Sequence, residues 1–389
     1  MASNAKNLAE LLNTDSTVAV GDIADGSVTT AKLADNAVTS AKALNLGRRN
    51  LVINGAMTIA QRGTQTDQTS AYTACDRWNF AENGSVVVTT SQDTDVPSGQ
   101  GFANSLKIDV TTASGTPSSG NYALVRTKFE GQDLQHLLYG TSNAKSLTLS
   151  FWVKSPKTGT HIVQLKHNDA IYFNSITYTV NSANTWEHKS VTFVGYQTTA
   201  FDDDNNNSLQ VYWWLMKYNE GTLTENTWHN TAANQASGQV NTMDNTSNNF
   251  YLTGVQLEVG DTATDFEHRS FAEELQLCQR YCEIVPQGHQ MVGRIESSSN
   301  NWGKGQFTFK TTKRSGASMT VSHSDTSSPL MSVDWTSTNF TSAFSNLSKG
   351  QETTSGIVFR LTDSSFNSND GGATHISPSG GYLIIEDEL

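Results

Sequence analysis

Residues 147–154 read Leu147-Thr-Leu-Ser-Phe-Trp-Val-Lys154, in which large apolar side chains alternate with Thr, Ser, Trp and Lys. A period of two is that of a β-strand with one buried face. The same alternation recurs at residues 106–110 and 209–216, and further strand candidates lie at residues 86–90, 123–129, 162–167, 176–180, 191–196 and 250–259. Many short strands without helical patterns between them predict a mostly β protein built on an antiparallel jelly-roll sandwich.

The composition is consistent with this fold and argues against several functions. The chain has 389 residues, and its 25 Lys and Arg against 37 Asp and Glu give a net charge of −12, so we expect no nucleic-acid partner. The longest bulky apolar run, residues 211–216, is far below the roughly 20 residues of a membrane span, so we expect no membrane insertion. Three Cys is an odd number, which argues against a disulfide framework and for synthesis in a reducing compartment.

We find no motif for catalysis, a cofactor or a metal. No phosphate-binding glycine loop, nucleophile elbow or His-Glu-x-x-His segment is present. The run Asp202-Asp-Asp-Asn-Asn-Asn207 begins like a calcium loop, but it lacks the glycine at its sixth position and has Trp213 in place of the final Glu. A solvated turn is the favoured interpretation and an ion site the alternative. We therefore expect a protein that is not an enzyme.

The N-terminal segment repeats with a period of ten residues, and bulky apolar side chains fall at every fifth position: Ile23, Val28, Leu33 and Val38. This spacing gives neither a helix stripe nor a single strand face. Ordering five residues costs about 5–10 kcal/mol of backbone entropy, whereas burying one Val or Leu returns about 1.5–3 kcal/mol. We therefore predict that several chains share this row as a thin shaft over residues 21–46; a disordered tether is the alternative.

Five short stretches resemble a domain that is common in bacteriophage tail-fibre proteins. Three stretches are similar to the opening of that domain: Asn50-Leu-Val-Ile-Asn-Gly-Ala-Met57, Gln61-Arg-Gly63 and Tyr72-Thr-Ala-Cys-Asp-Arg-Trp78. Two stretches are similar to its close: Gly254-Val-Gln-Leu-Glu-Val-Gly260, followed by Thr264-Asp-Phe-Glu-His-Arg-Ser270. That domain is a jelly roll similar to carbohydrate-binding modules, and the ten-residue repeat also resembles phage fibre shafts. The resemblance covers residues 18–283. It implies a homotrimeric virion adhesin, fixed by its N-terminus to a phage tail protein, that binds a host surface glycan or envelope protein.

With this resemblance the chain divides into five parts. We expect a virion-anchoring segment at residues 1–20, a shaft at 21–46 that trimerises through its apolar row, the jelly roll at 47–269, a linking helix at 270–283 and a distal β-rich receptor-binding tip at 284–389. The expected location is the tail fibre of the virion, after synthesis in the host cytoplasm. A capsid-decorating fibre, a structural connector and a fibre-borne polysaccharide depolymerase with two carboxylates on different strands are the alternatives.

The motifs themselves are interpreted as structural. Asp76 and Arg77 could form an ion pair covered by the indole of Trp78, and Glu267 could pair with Arg269 at the end of the domain.

The linking helix starts at a capping box, Ser270 with Glu273. Its apolar seam would consist of Phe271, Leu275, Cys278 and Cys282, and the two cysteines are interpreted as small buried apolar residues. The seam could pack on a trimer axis or on the helix's own sandwich, and the sequence leaves both open.

The C-terminal part returns to strand patterns around residues 307–309, 319–321, 331–333, 357–361 and 382–385, which are separated by polar stretches at 297–305 and 364–381. Aromatic faces cover the apolar side of a sugar ring, while amides, carboxylates and imidazoles bind its hydroxyls. The predicted receptor-binding residues are Asn300, Asn301, Trp302, Asp370 and His375, with Trp228-His229-Asn230 as a second candidate. For both tryptophans the alternative is a core or interface position.

Overall fold

The computed structural model describes residues 48–218, 224–230, 239–296, 302–315, 319–324, 330–335, 338–343, 345, 347–362, 373–379 and 381–389. The predicted anchor, the shaft and its apolar row Ile23, Val28, Leu33 and Val38 lie outside these ranges, as do Asn300, Asn301 and Asp370. Residues 50–389 form one compact unit. In the described part of the chain, no helix is long and apolar enough to cross a membrane.

The first two sheets are built from thirteen strands. They are β1 (Gln65–Gln68), β2 (Ala71–Tyr72), β3 (Asn79–Asn83), β4 (Val87–Asp93), β5 (Ser105–Thr112), β6 (Tyr122–Glu130), β7 (Leu147–Lys154), β8 (Gly159–His167), β9 (Tyr172–Val180), β10 (Glu187–Phe193), β11 (Asn207–Lys217), β12 (Trp228–His229) and β13 (Asn249–Val259). Six of them form one antiparallel sheet in the order β1-β4-β5-β13-β7-β10, and seven form the other in the order β12-β9-β8-β11-β6-β3-β2. The prediction of an antiparallel sandwich is confirmed.

The core of the sandwich lies between the two sheets. The residues at alternate positions of the opening stretch, Leu147, Leu149, Phe151 and Val153, all belong to it and are fully buried. The nine predicted strands of this domain correspond to β4–β11 and β13. Strand β11 departs from the half-buried pattern, because Tyr212 and Trp214 on its outer face are also buried, in a second apolar cluster with Leu124 and Ile162.

The opening and closing motifs contact each other and so join the two ends of the sandwich domain. The side chain of Asn50 accepts the backbone N–H of Leu257 at 3.1 Å and donates to the carbonyl of Val255 at 3.0 Å. A Cβ on Gly55 would lie 2.1 Å from that Val255 carbonyl oxygen, so only glycine fits there. The predicted Glu267–Arg269 pair is present at 3.6 Å, and Glu267 also accepts the N–H of Asn50 at 2.8 Å.

The predicted ion pair between Asp76 and Arg77 is wrong. Asp76 pairs with Arg62 at 3.4 Å, whereas Arg77 pairs with Glu388 at 2.5 Å. Consecutive side chains diverge here because Arg77 has a φ of 73°. Trp78 is fully buried in the core, as expected of a structural indole.

A single α-helix in the described residues, α1 (Phe271–Gln279), follows the sandwich, and the Ser270 hydroxyl accepts the N–H of Glu273 as the capping box predicts. The helix ends four residues before the predicted end, because Cys282 already belongs to the next strand. Cys278 packs with Ile53 and Ile59, so this part of the seam lies on its own sandwich. Phe271 is 63% exposed and does not belong to the seam.

Ten strands form the second β domain. They are β14 (Cys282–Val285), β15 (Met291–Glu296), β16 (Trp302–Thr308), β17 (Thr320–His323), β18 (Leu330–Trp335), β19 (Thr338–Ala343), β20 (Leu347–Glu352), β21 (Gly356–Thr362), β22 (Ala373–Ser379) and β23 (Leu383–Glu386). A three-stranded sheet has the order β14-β23-β17, and a seven-stranded sheet the order β19-β18-β22-β15-β16-β21-β20. Their core includes Phe307, Met331 and Phe359.

Buried charges join the second β domain to the sandwich. Arg62 of the sandwich contacts Glu386 at 2.6 Å and Glu388 at 2.8 Å. The guanidinium of Arg77 lies 3.4 Å from the ring centroid of Tyr281, next to its pair with Glu388. The residues after β23 therefore return to the sandwich.

Candidate functional site

The outer face of the six-stranded sheet carries a group of aromatic rings. Trp152 of β7 points outward because its neighbours Phe151 and Val153 point into the core. His188 of β10 is its cross-strand partner, and the two ring centroids are 5.2 Å apart. Burial, followed by the charge of Lys189, lowers the pKa of His188 below its ordinary value. Its imidazole is therefore neutral at pH 7 and can both donate and accept a hydrogen bond.

Two loops bring a second group of rings next to Trp152. Phe102 comes from the loop between β4 and β5, and Phe266 and His268 come from the segment between β13 and α1. Phe102 lies 5.1 Å from Phe266 and 5.5 Å from His268 between ring centroids, and Phe266 lies 4.9 Å from His268. Edge and tilted ring contacts of this kind stabilise the arrangement.

Between the two ring groups is a cavity of about 480 Å³, which we call the aromatic cleft. Its lining consists of Gln100, Phe102, Ser150, Trp152, His188, Gly254, Ala263, Thr264, Asp265, Phe266 and His268. The volume falls within the roughly 300–1,000 Å³ of small-molecule sites. The cleft thus combines apolar ring surfaces with amide, hydroxyl, carboxylate and imidazole groups.

Gly254 allows the rings to approach the backbone of β13. It has a φ of 59° at an irregularity in the pairing of β13 with β7. A Cβ at this position would lie 2.6 Å from the ring of Phe102 and 3.0 Å from the indole of Trp152. Both the backbone conformation and the space therefore require glycine.

Buried polar side chains of β13 fix the loop that carries Phe266 and His268. Glu258 accepts the N–H and the hydroxyl of Thr264 at 2.9 and 2.6 Å. Gln256 accepts the N–H of Glu267 at 2.8 Å and donates to Glu258 at 2.8 Å. Gln256 and Glu258 are almost completely buried, so the loop is anchored from beneath.

The closing motif therefore has two functions at alternating positions. Glu267 and Arg269 contact the opening motif, in line with the structural interpretation. Phe266 and His268, which alternate with Glu267 and Arg269 along the chain, line the cleft. Sequence reasoning missed this second role, although Trp152 at an outward position of the first alternating strand was a usable signal for an exposed aromatic site.

The receptor-binding residues predicted for the C-terminal part are dispersed as far as the structure describes them. Trp302 is the first residue of β16 and pairs with Glu296, and His375 lies within β22 and pairs with Val292. Both positions are strand residues and not loop residues, because backbone pairing extends into the polar stretches. Glu296 and Val292 are four residues apart on β15, which separates the two predicted residues by about 13 Å along the sheet.

The second predicted candidate, Trp228-His229-Asn230, occupies a packed position. The indole N–H of Trp228 donates to the carbonyl of Val194 at 2.9 Å, and its ring lies 5.1 Å from Tyr196 and 6.1 Å from Tyr139. Trp228 is therefore a packed residue, which is the alternative that the sequence analysis gave for it.

The acidic run after residue 201 is tied into a local turn. Asp204 accepts the backbone N–H of Asn206 at 2.9 Å and its side-chain amide at 2.5 Å. Within the described ranges, no three His, Cys, Asp or Glu side chains form a group that could hold a metal ion. Asp202, Asp203 and Asn206 are exposed, so the run forms a turn at the surface.

No protein-family model matches the chain, and no curated protein matches it. Among solved structures, the enzymatically active domain of tailspike protein 4 of bacteriophage CBA120 is 15% identical, with a TM-score of 0.30 over 54% of this chain and 21% of that chain. The match therefore spans about a fifth of the tailspike chain.

Two carbohydrate-binding modules are also similar. A family 61 module in complex with β-1,4-galactotriose is 7% identical, with a TM-score of 0.30 over 54% of this chain and 99% of that chain. A tandem of two family 22 modules of Xyn10C from Paenibacillus barcinonensis is 10% identical, with a TM-score of 0.27 over 89% of this chain and 100% of that chain. TM-scores of this size establish neither a common ligand nor a common activity.

Proposed function

We propose that the sandwich binds a glycan in the aromatic cleft, and that the protein is a bacteriophage tail-fibre adhesin that uses this cleft to attach the virion to its host. The observation that carries the proposal is the placement of two ring groups, Trp152 with His188 and Phe102 with Phe266, around one open cavity. The proposed site is on the sandwich, whereas the sequence analysis predicted receptor-binding residues on the C-terminal domain.

The chemistry of the lining matches that of a sugar. A pyranose has an apolar C–H face that packs on an aromatic ring, and a rim of hydroxyl groups that needs donors and acceptors. Trp152 is half-buried and offers such a ring in the lining of the cleft. Gln100, Ser150 and His188 supply amide, hydroxyl and imidazole groups around it.

We propose that the cleft binds without cleaving. A glycosidase needs two carboxylates on opposite sides of the scissile bond. Among the described residues that line the cleft, Asp265 is the single carboxylate. The depolymerase alternative would require an acid from elsewhere to enter the cleft.

The tail-fibre assignment is supported by the N-terminal repeat and by the opening and closing motifs. The contacts between Asn50, Leu257 and Glu267 explain physically why motifs about 200 residues apart occur together. The proposed protein is a homotrimer that is anchored in the virion through residues 1–20.

A cell-binding experiment tests this function. Fluorescently labelled full-length protein should bind the bacterial cells that the virion infects. Mild periodate, which cleaves sugar diols, should abolish binding, whereas protease treatment of the cells should leave it unchanged. Binding that survives periodate but is lost after protease would contradict a glycan receptor and favour an envelope protein.

A further inference from the structure

The segment that carries Phe266 also brings negative charge to the aromatic cleft. Asp265 directly precedes Phe266, lines the cleft and is exposed. Glu258 lies beneath the same segment and is almost completely buried. Among the described residues that line the cleft, none is a lysine or an arginine.

The hydrogen bonds of Glu258 are those of an ionised carboxylate. It accepts the backbone N–H and the hydroxyl of Thr264 at 2.9 and 2.6 Å and the side-chain amide of Gln256 at 2.8 Å. All three partners donate, and an ionised carboxylate only accepts. Within the described ranges, Glu258 forms no ion pair. Since Thr264 itself lines the cleft, this buried charge lies directly beneath the cleft wall.

The cations next to the cleft are paired with other carboxylates. Three lysine or arginine residues lie within two sequence positions of a lining residue. Lys154 pairs with Asp95, Lys189 with Glu187 at 2.6 Å, and Arg269 with Glu267 at 3.6 Å and with Glu274 at 3.4 Å. Their charges are balanced locally, so the cleft retains the negative charge of the segment that carries Phe266.

The rings of the cleft suit a cation as well as the face of a sugar. The face of an aromatic ring is electron-rich and attracts an ammonium group within about 6 Å of the ring centroid, and Trp is the best ring for this. Trp152 and Phe102 flank Gly254, since a Cβ there would lie 3.0 Å and 2.6 Å from them. Phe266 packs on Phe102 at 5.1 Å between ring centroids. A neutral sugar needs such rings, whereas a carboxylate beside them favours a ligand with a positive charge.

We propose that the glycan bound in the aromatic cleft carries a positively charged amine, as an amino sugar without an N-acetyl group does, and that Asp265, Trp152 and Phe102 bind this ammonium group. A carboxylate has about four acceptor positions, so Asp265 can accept the ammonium group in addition to its contacts within the protein. N-acetylation would remove the charge that the site selects. The inference rests on the proposed glycan-binding function and specifies the class of sugar.

Three β-1,4-linked tetrasaccharides that differ only in the substituent at carbon 2 test this proposal. They are the tetramers of glucosamine, N-acetylglucosamine and glucose, titrated calorimetrically into the full-length protein at pH 6. We expect the glucosamine tetramer to bind about fivefold more tightly than either neutral tetramer, the effect of one exposed charge pair. This advantage should shrink as salt is added.

Choline is a fourth probe, because it carries a cation without a sugar ring. We expect choline to bind more weakly than the glucosamine tetramer, since it lacks the ring hydroxyls that Gln100 and Ser150 of the lining would bind. Binding of choline that is at least as tight would overturn the assignment to an amino sugar.

Variants assign the preference to the carboxylate in the lining. Asp265→Asn keeps the shape of the side chain and removes its charge, so the affinity for the glucosamine tetramer should fall to that for the glucose tetramer. The affinities for the two neutral tetramers should not change. Asp261→Asn is the matched control, because Asp261 is an exposed aspartate of the same segment that does not line the cleft. We expect it to bind all three tetramers as the wild type does.

Three further results would overturn the proposal. The first is that the glucosamine tetramer does not bind. The second is that a neutral tetramer binds as tightly as the glucosamine tetramer or more tightly. The third is that Asp261→Asn weakens binding as much as Asp265→Asn does.

The inference can fail while the proposed function holds. Binding of a neutral tetramer that is lost in Trp152→Ala would support a glycan site in the cleft and contradict its preference for an ammonium group. If no tetramer binds, the periodate experiment on cells still decides whether the receptor is a glycan.

Discussion

At the scale of single residues, the aromatic cleft depends on the absence of a side chain at Gly254. We predict that Gly254→Ala lowers glycan affinity by about tenfold or more, because the methyl group displaces the rings of Phe102 and Trp152. Gly63→Ala is the matched control, since Gly63 has a φ of 64° and no atom within 4 Å of the added Cβ. Both variants should lose about 1 kcal/mol of stability from the left-handed backbone. Equal affinities of the two variants would contradict the role given to Gly254.

A second residue-scale prediction concerns the pH dependence of stability at Lys128. Its pKa in the folded protein is about 7, against an ordinary value of 10.5, so between these values the unfolded chain holds a proton that the folded protein does not. Raising the pH through this window therefore favours the folded state. The Lys128 ammonium donates to the main-chain oxygen of Leu389 and to the hydroxyl of Tyr72 at 3.3 Å. The charged groups that act on it are Arg126, Arg77, Glu388 and Arg314.

Thermal melts at pH 7 to 10 check this direction. The Tm of the wild-type protein should rise relative to that of Lys128→Met as the pH increases. Lys145→Met, which removes an exposed lysine, should show no such trend. A constant difference between the wild type and Lys128→Met would show that Lys128 stays charged in the folded protein.

At the scale of elements, the residues after β23 hold the second β domain against the sandwich. We predict that Glu388→Ala costs about 3–5 kcal/mol, because it leaves Arg62 and Arg77 buried without this carboxylate. Glu352→Ala, which removes a more exposed pair with Lys349, should cost at most about 1 kcal/mol. Denaturant unfolding measures both, and a similar small loss for both variants would show that the buried pairs contribute little.

Alternating apolar residues identified the strands of the sandwich. The strands that the sequence analysis did not predict lack this alternation. Strand β20 (Leu347–Glu352) is mostly polar and contains Gly350, and strand β22 contains Pro378. Both are held by backbone pairing with apolar neighbours, β20 with β21 and β22 with β15 and β18. A strand that forms because its backbone pairs with neighbouring strands need not show alternating apolar residues in its own sequence.

The cleft was not predictable from the sequence for a related reason. Phe102, Trp152, His188 and Phe266 come from four separate parts of the chain. The register of β7 with β10 places Trp152 beside His188, and the anchored closing motif positions Phe266, which contacts Phe102. An outward Trp in an alternating strand indicates a candidate, but the partner rings follow from tertiary structure. Local composition around Trp302 and His375 instead favoured polar stretches whose described residues turned out to be strands.

At the scale of the whole molecule, the N-terminal repeat predicts a homotrimer. The full-length protein should have three times the monomer mass in light scattering coupled to size-exclusion chromatography. Replacing Ile23, Val28, Leu33 and Val38 together by Ser should convert it to monomer, because the shared apolar row would be lost. A wild-type monomer, or a trimer that persists after these substitutions, would contradict the shaft.

The central claim is that the aromatic cleft of the sandwich binds sugar. The measurement that tests it most directly is the affinity of wild type, Trp152→Ala and Trp186→Ala for a glycan selected on an array with the wild-type protein. Trp186 is a half-buried tryptophan that contacts Asp95 and Tyr251 and does not line the cleft. We predict a loss of about tenfold or more for Trp152→Ala and unchanged affinity for Trp186→Ala. Full affinity in a correctly folded Trp152→Ala protein would contradict the claim.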